Sequence, residues 1–121
     1  SQLQLGESST RAQAVLASGL LDVLDDFDRV VAFDRESATF ESILEGITLV
    51  QRKLRQFLEG MGLEEIDPAG APFDPNFMEA MLRVEASSEE EDDTVGQVFQ
   101  RGFRFRGHLL RPARVSVRKL A

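Results

Sequence analysis

The sequence predicts an α+β fold: an antiparallel helical pair forming a dimeric four-helix bundle, followed by a small, mainly β C-terminal domain. Three observations carry this expectation. Apolar residues recur at helical spacing over residues 11–62, prolines and glycines crowd the chain just after Gly62, and apolar and polar residues alternate with period two further on. With 121 residues, the chain has material for one domain or two small modules that share packing.

Residues 1–9, "SQLQLGESS", show no sustained period, so residues 1–10 are expected to be a tail or the truncated end of a long helix. From Thr10 the pattern turns helical. "TRAQ" matches a capping box, with Thr10 able to accept from the amide three residues on and Gln13 able to reach back. Leu16, Leu20, Val23, Phe27 and Val30 then alternate steps of four and three, which is one helix face. Leu24 and Val31 widen that stripe, and Asp22, Asp25, Asp26 and Asp28 mostly take the other faces. Gly19 costs such a helix roughly 1 kcal/mol relative to alanine.

"FDRESAT" breaks the pattern and supplies an N-cap for the next helix at Ser37 or Thr39. Phe40, Ile43, Ile47, Val50, Leu54, Phe57 and Met61 follow with strict heptad spacing, and Gly62 is a natural residue to end the helix. Residues 11–62 are therefore read as a helical dimerisation region, and residues 63–121 as the β domain.

Within that domain, "LEEIDPAGAPFDPNF" is too rich in proline for a long helix. "EAMLRVEA" suits a short helical turn or a strand, and "SSEEEDD" reads as a solvated like-charge loop. "TVGQVFQ", "FRFRG", "LLRP" and "ARVSVRK" read as short strands, with Gly102 and Gly107 marking turns or bulges.

Two helices of about 24 residues span ~36 Å. Packed only on each other, they leave half of each stripe wet, and side chains worth ~1.5–3 kcal/mol each are not left exposed in such number. Self-association through Leu16, Leu20, Val23, Phe27, Val30, Phe40, Ile43, Ile47, Val50, Leu54 and Phe57 solves this, with each protomer giving two helices to a four-helix bundle.

Cysteine is absent, which removes disulfides and thiolate chemistry. No apolar run approaches the ~20 residues of a membrane span, and no signal segment opens the sequence, so a soluble, cytoplasmic protein with no membrane partner is expected. His108 is the only histidine and belongs to no metal motif; no Walker loop, nucleophile elbow or strand-linked G-x-G-x-x-G appears. The chain is expected to be no enzyme, with no catalytic residue, no metal, no cofactor and no direct nucleotide binding.

Binding remains. The formal net charge is −7, yet residues 94–121 hold seven basic residues and no acidic one. Such asymmetry suggests two surfaces with different jobs, or an acidic helical face balanced by a basic hairpin. That hairpin could serve a nucleic-acid-binding or adaptor dimer, with Arg104 and Arg106 facing phosphates. Against nucleic acid, Phe103 and Phe105 share the strand face opposite those arginines, which assigns them to the core, and the chain as a whole is acidic.

"FDPNFMEAM" at 73–81, a spacer of about twenty residues, and "GFRFRGHLLRPARVSV" at 102–117 together resemble the two-part signature of the GrpE family. The matching positions are Phe73, Asp74, Pro75, Met78, Ala80, Gly102, Phe103, Gly107, Leu110, Arg111, Ala113, Val115 and Val117. "LLDVLDDFDRVV" resembles the end of that family's long helix, and "FESILEGITLVQRKLRQFLEGMGLEEID" its second bundle helix, so the likeness runs from about residue 11 to 119. The resemblance implies a homodimeric co-chaperone of the heat-shock and stress response. Its β domain docks on the ATPase domain of a DnaK-type chaperone, opens the nucleotide cleft and promotes ADP release.

By family position, the implied partner contacts are Phe99, Gln100, His108 and Val117, with Gly46 in the bundle helix. Arg101, Arg104 and Arg111 are implied as steering charges or as β-domain structure. Phe99 and Val117 suit a β core equally well, Gln100 plain surface, and Gly46 close helix packing. The sequence departs from the family in three places. His108 stands where many relatives carry arginine, which exchanges a permanent charge for a titratable one. "EEEDD" replaces a Pro-Gly turn before Thr94. "GESST" would interrupt the long N-terminal helix, so a truncated helix is expected, without part of the dimer seam and without any temperature sensing that rests on that helix.

Overall fold

The computed structural model describes residues 2–121 and shows two helices followed by a small all-β region. The chain divides into two compact units, one ending at Gly60 and the other running from Met61 to Ala121.

The first unit contains helix α1, Gln2–Val31, and most of helix α2, Phe40–Met61. Helix α1 begins earlier than its sequence pattern suggests. "GESST" does not interrupt it, and Thr10 is not an N-cap: its hydroxyl donates back to the Gly6 carbonyl at 3.0 Å, one turn earlier. A hydroxyl that can bond either way joins the helix when residues on both sides propagate it. The N-cap of α2 is Thr39. Its Oγ1 accepts from the Ser42 amide at 3.0 Å, and the Ser42 Oγ accepts from the Thr39 amide at 2.9 Å, a reciprocal cap closed by serine.

The helices approach closely at two glycines. A β-carbon on Gly19 would overlap the Phe57 ring, and one on Gly46 would lie 2.8 Å from Val30 Cγ2. Gly19 thus gives up helix propensity so that an aromatic ring can lie against the α1 backbone. Val23 and Val50 are buried in this unit.

The second unit holds six strands: β1 (Leu63–Ile66), β2 (Met78–Glu85), β3 (Val95–Gln100), β4 (Gly102–Phe105), β5 (His108–Arg111) and β6 (Ala113–Lys119). They form two three-stranded sheets, ordered β1-β4-β5 and β2-β6-β3. "EAMLRVEA" is a strand and pairs parallel with β6, whereas β3 runs antiparallel on the other side of β6. Strand β1 lies in the stretch read from sequence only as non-helical; it pairs antiparallel with β4, Glu64 opposite Arg104.

Ala113 and Val115 of β6 and Val95 of β3 are fully buried and cluster with Ile66; Phe73, Phe77, Met78 and Val98 pack around them. Phe103 and Phe105 lie outside this cluster. They are half-buried and covered by guanidinium groups instead, Arg111 at 5.2 Å from one ring centre and Arg106 at 5.7 Å from the other.

The acidic loop is folded rather than merely solvated. The Ser87 amide donates to Glu91 Oε2 at 3.0 Å, the Leu120 amide to Asp92 Oδ1 at 2.9 Å, and Lys119 Nζ lies 2.7 Å from Asp93 Oδ1. Asp93 has a φ of 62°, so aspartate performs here the left-handed step that a Pro-Gly turn assigns to glycine.

Candidate functional site

The β4–β5 hairpin turns on Arg106 and Gly107, at φ 47° and 84°. Two positive-φ residues match the twist of the flanking strands, which is why two suffice. Arg106 pins the turn to the start of the β unit: its Nε donates to the Met61 carbonyl at 3.0 Å and its amide to Gly62 at 3.1 Å. His108 follows the turn and is exposed, opposite Phe105.

The basic C-terminal stretch is largely neutralised from within. Arg101 Nε lies 3.1 Å from Glu65 Oε1, an Arg104 amino group 3.4 Å from Glu64 Oε2, and Arg114 Nε 3.6 Å from Glu79 Oε2. Arg104 also lies 5.0 Å over the Phe77 ring, and Arg111 Nε donates to the Arg101 carbonyl at 3.0 Å. Strands β1 and β2 carry the opposing carboxylates, so the charge asymmetry of the sequence is balanced across the sheets. These exposed pairs are each worth about 0–1 kcal/mol. Arg106, Arg111 and Arg118 donate to backbone carbonyls instead.

The residues singled out from sequence occupy different settings. Phe99 is 48% exposed on β3, and Gln100 beside it is half-buried. Val117 is buried at 7% exposure opposite Val95, which gives its side chain to the core and not to a surface contact. Gly46 belongs to the helical unit and packs against Val30.

Among the bundle residues, Val23 and Val50 are already buried within the chain, and Val30, Leu54 and Phe57 are half-buried. Leu16, Leu20, Phe27, Phe40, Ile43 and Ile47 remain exposed.

Sequence reasoning missed Met81 and Leu82 of β2, about half exposed and lining one groove with Phe99, Gln100 and Arg114. Two adjacent apolar residues that break a period-two pattern were the available signal. It also missed Asp26, a carboxylate 5% exposed in the helical unit, held by Arg29 and by Lys53 at 3.1 Å. The hydrogen bond from the Lys53 ammonium is the main reason its carboxyl stays below the usual carboxylate range; burial works against it.

Among the described residues, no group of histidine and carboxylate side chains is placed to hold a metal ion, and no helix is long and apolar enough to cross a membrane. The arrangement offers apolar tips, half-exposed strands and paired charges on two small sheets, which are means of binding.

Comparison with known proteins bears on what is bound. The family model described as GrpE matches residues 3–119. Protein GrpE of Geobacillus stearothermophilus is 39% identical over 107 residues, covering 88% of this chain and 48% of that protein. Protein GrpE of Geobacillus kaustophilus (strain HTA426) is 40% identical over the same length, with 88% and 49% covered. Protein GrpE of Vibrio proteolyticus is 38% identical over 104 residues, 85% of this chain and 50% of its own length. The chain spans about half the length of the curated relatives it matches.

Proposed function

Because the chain belongs to the GrpE family, we propose that it is an adenyl-nucleotide exchange factor, a cytoplasmic co-chaperone that promotes ADP release from a DnaK-type chaperone. In this reading it works as a homodimer and without catalysis of its own. The β unit docks on the chaperone's ATPase domain and holds the nucleotide cleft open.

The mechanism is linkage. A factor that prefers the open cleft weakens ADP binding by the same ratio by which ADP weakens the factor's binding. It can shift the cleft only by its differential affinity for the open state. Each tenfold loss of ADP affinity therefore requires ~1.4 kcal/mol of that preference. A docking body that yields would dissipate it. The observation that carries the reading is the family match running through both units, joined to a β unit whose centre, at Val95, Ala113 and Val115, is fully buried. Exposed Phe99 and His108 and half-buried Gln100 are the contacts assigned to it.

The homodimer rests on the helical unit. Leu16, Leu20, Phe27, Ile43 and Ile47 are 37–46% exposed, and a second copy would cover the stripe as a four-helix bundle. The nucleic-acid reading is the less favoured one: of its two phosphate-facing residues, Arg104 lies against Glu64 and the Phe77 ring, and Arg106 donates to the Met61 carbonyl.

Release of a fluorescent ADP analogue from a DnaK-type ATPase domain tests the proposal directly. Faster release on adding this chain is the expected result; an unchanged rate at saturating concentration overturns it.

A further inference from the structure

Met81 and Leu82 of β2, Phe99 and Gln100 of β3 and Arg114 of β6 line a groove of about 410 Å³ on the β2-β6-β3 sheet. Met81 is 52% exposed, Leu82 55% and Phe99 48%. Neighbours on a regular strand point to opposite faces, yet Met81 and Leu82 both line this groove. The reason is a break in register. The β2–β6 pairing passes from Ala80 opposite Val115 to Leu82 opposite Ser116, leaving Met81 as the extra residue of a bulge. Bulges re-aim side chains, and this one doubles the apolar wall facing Phe99.

The groove lies on the face of β6 opposite the core. Ala113, Val115 and Val117 point inward, and Arg114 points out. Ser116 is 3% exposed and accepts the Gln97 amide at 2.8 Å, which holds β3 tightly beside β6. Arg114 is the single charged residue lining the groove. Its partner Glu79 is 3.6 Å away and both side chains are about half exposed, so the pair is weak and open to exchange.

We propose that this groove receives an apolar side chain flanked by a carboxylate, presented by the chaperone's ATPase domain, and that Met81 and Leu82 set specificity together with Phe99. The inference rests on the exchange-factor reading. Charge and area select this occupant over a second copy. A two-fold pairing of the groove with itself would bring two Arg114 guanidiniums into one apolar patch. Three half-exposed side chains also fall well short of the roughly 800 Å² per partner that a stable interface buries. As an anchor inside a larger contact they suffice.

The test measures affinity for a DnaK-type ATPase domain and the rate of fluorescent ADP release, using the whole chain. Leu82→Asp is expected to weaken binding about tenfold or more, Met81→Ser several-fold, and Leu82→Met hardly at all. Leu120→Ser, an exposed apolar residue away from the groove, should bind as the parent does. Circular dichroism and sedimentation of each variant should be unchanged. If the parent accelerates release and Leu82→Asp does so equally, the groove inference is overturned and the exchange-factor reading stands. If the parent neither binds nor accelerates, the reading falls and the inference with it. If Leu82→Asp lowers the oligomeric state instead, the groove belongs to a second copy and the inference is overturned.

Discussion

Lys53 Nζ lies 3.1 Å from Oδ2 of Asp26, joining α2 to a carboxylate on α1 that is 5% exposed. The Lys53 hydrogen bond holds the Asp26 carboxyl below its ordinary value, with Arg29 adding to the effect. A carboxylate whose folded-state pKa is lowered stabilises the fold above its unfolded value near pH ~4. That contribution is lost as pH falls through the lower folded value. Asp26→Asn should therefore reduce the melting temperature at pH 7, and the gap from the parent should close in acid below about pH 4. Thermal melts across pH 2–7 check this; a gap that persists at pH 2 contradicts it.

The two helix glycines should respond differently to alanine. Each substitution gains roughly 1 kcal/mol of helix propensity. At Gly19 the new methyl meets three atoms of the Phe57 ring, and overpacking of that kind costs about 1–3 kcal/mol. At Gly46 it meets one Val30 methyl at 2.8 Å. Urea denaturation should show Gly19→Ala less stable than the parent by up to about 2 kcal/mol and Gly46→Ala within about 1 kcal/mol of it.

Ile47→Asp tests the dimer. The residue is 46% exposed on the heptad face of α2, and each large apolar side chain buried in an interface contributes ~1.5–3 kcal/mol. Two copies per dimer then imply dissociation tightened in the parent by about a hundredfold or more relative to the variant. Sedimentation equilibrium at micromolar concentration should find the parent dimeric and Ile47→Asp mostly monomeric. A monomeric parent would refute the bundle.

Arg104 combines an ion pair with Glu64, a stacking contact on Phe77 and a buried Nε without a hydrogen-bond partner. The first two are worth ~0–1 and ~0.5–1 kcal/mol, and an unsatisfied buried donor costs ~1–3 kcal/mol. Arg104→Met keeps the stem and removes the orphan, so it should lie within about 1 kcal/mol of the parent. Arg104→Ala loses the stem packing and should be the less stable of the two. Equal stabilities would show that the stem contributes nothing.

His108→Arg restores a permanent charge at an exposed position beyond the hairpin turn. Arginine is always charged and presents a longer, forked set of donors. On the exchange-factor reading, the variant should bind a DnaK-type ATPase domain more tightly than the parent does. Isothermal titration calorimetry decides it, and equal affinities would remove His108 from the contact.

Much of the fold was legible because its signals are local. The heptad face of α2, a cap at Ser37 or Thr39, of which the fold uses Thr39, and the inward alternation of Ala113, Val115 and Val117 are each written within a few turns or a few residues. The start of α1 was misread for the complementary reason. A serine–threonine run can cap a helix or bond back into one, and the choice depends on whether helix lies on both sides. Strand β1 was invisible because four residues with two adjacent glutamates carry no period; only the pairing with β4 makes them a strand.

By itself the sequence determined the two-helix-then-β order, the apolar stripe along the helices, and the family, because all three are carried by spacing along the chain. The tertiary structure alone decided which surfaces are free. It set Glu64 against Arg104, Glu65 against Arg101 and Glu79 against Arg114, buried Val117, and left Phe99 exposed beside a bulged Met81. Charge balance and exposure arise between residues tens of positions apart. They come into being only when distant strands pair.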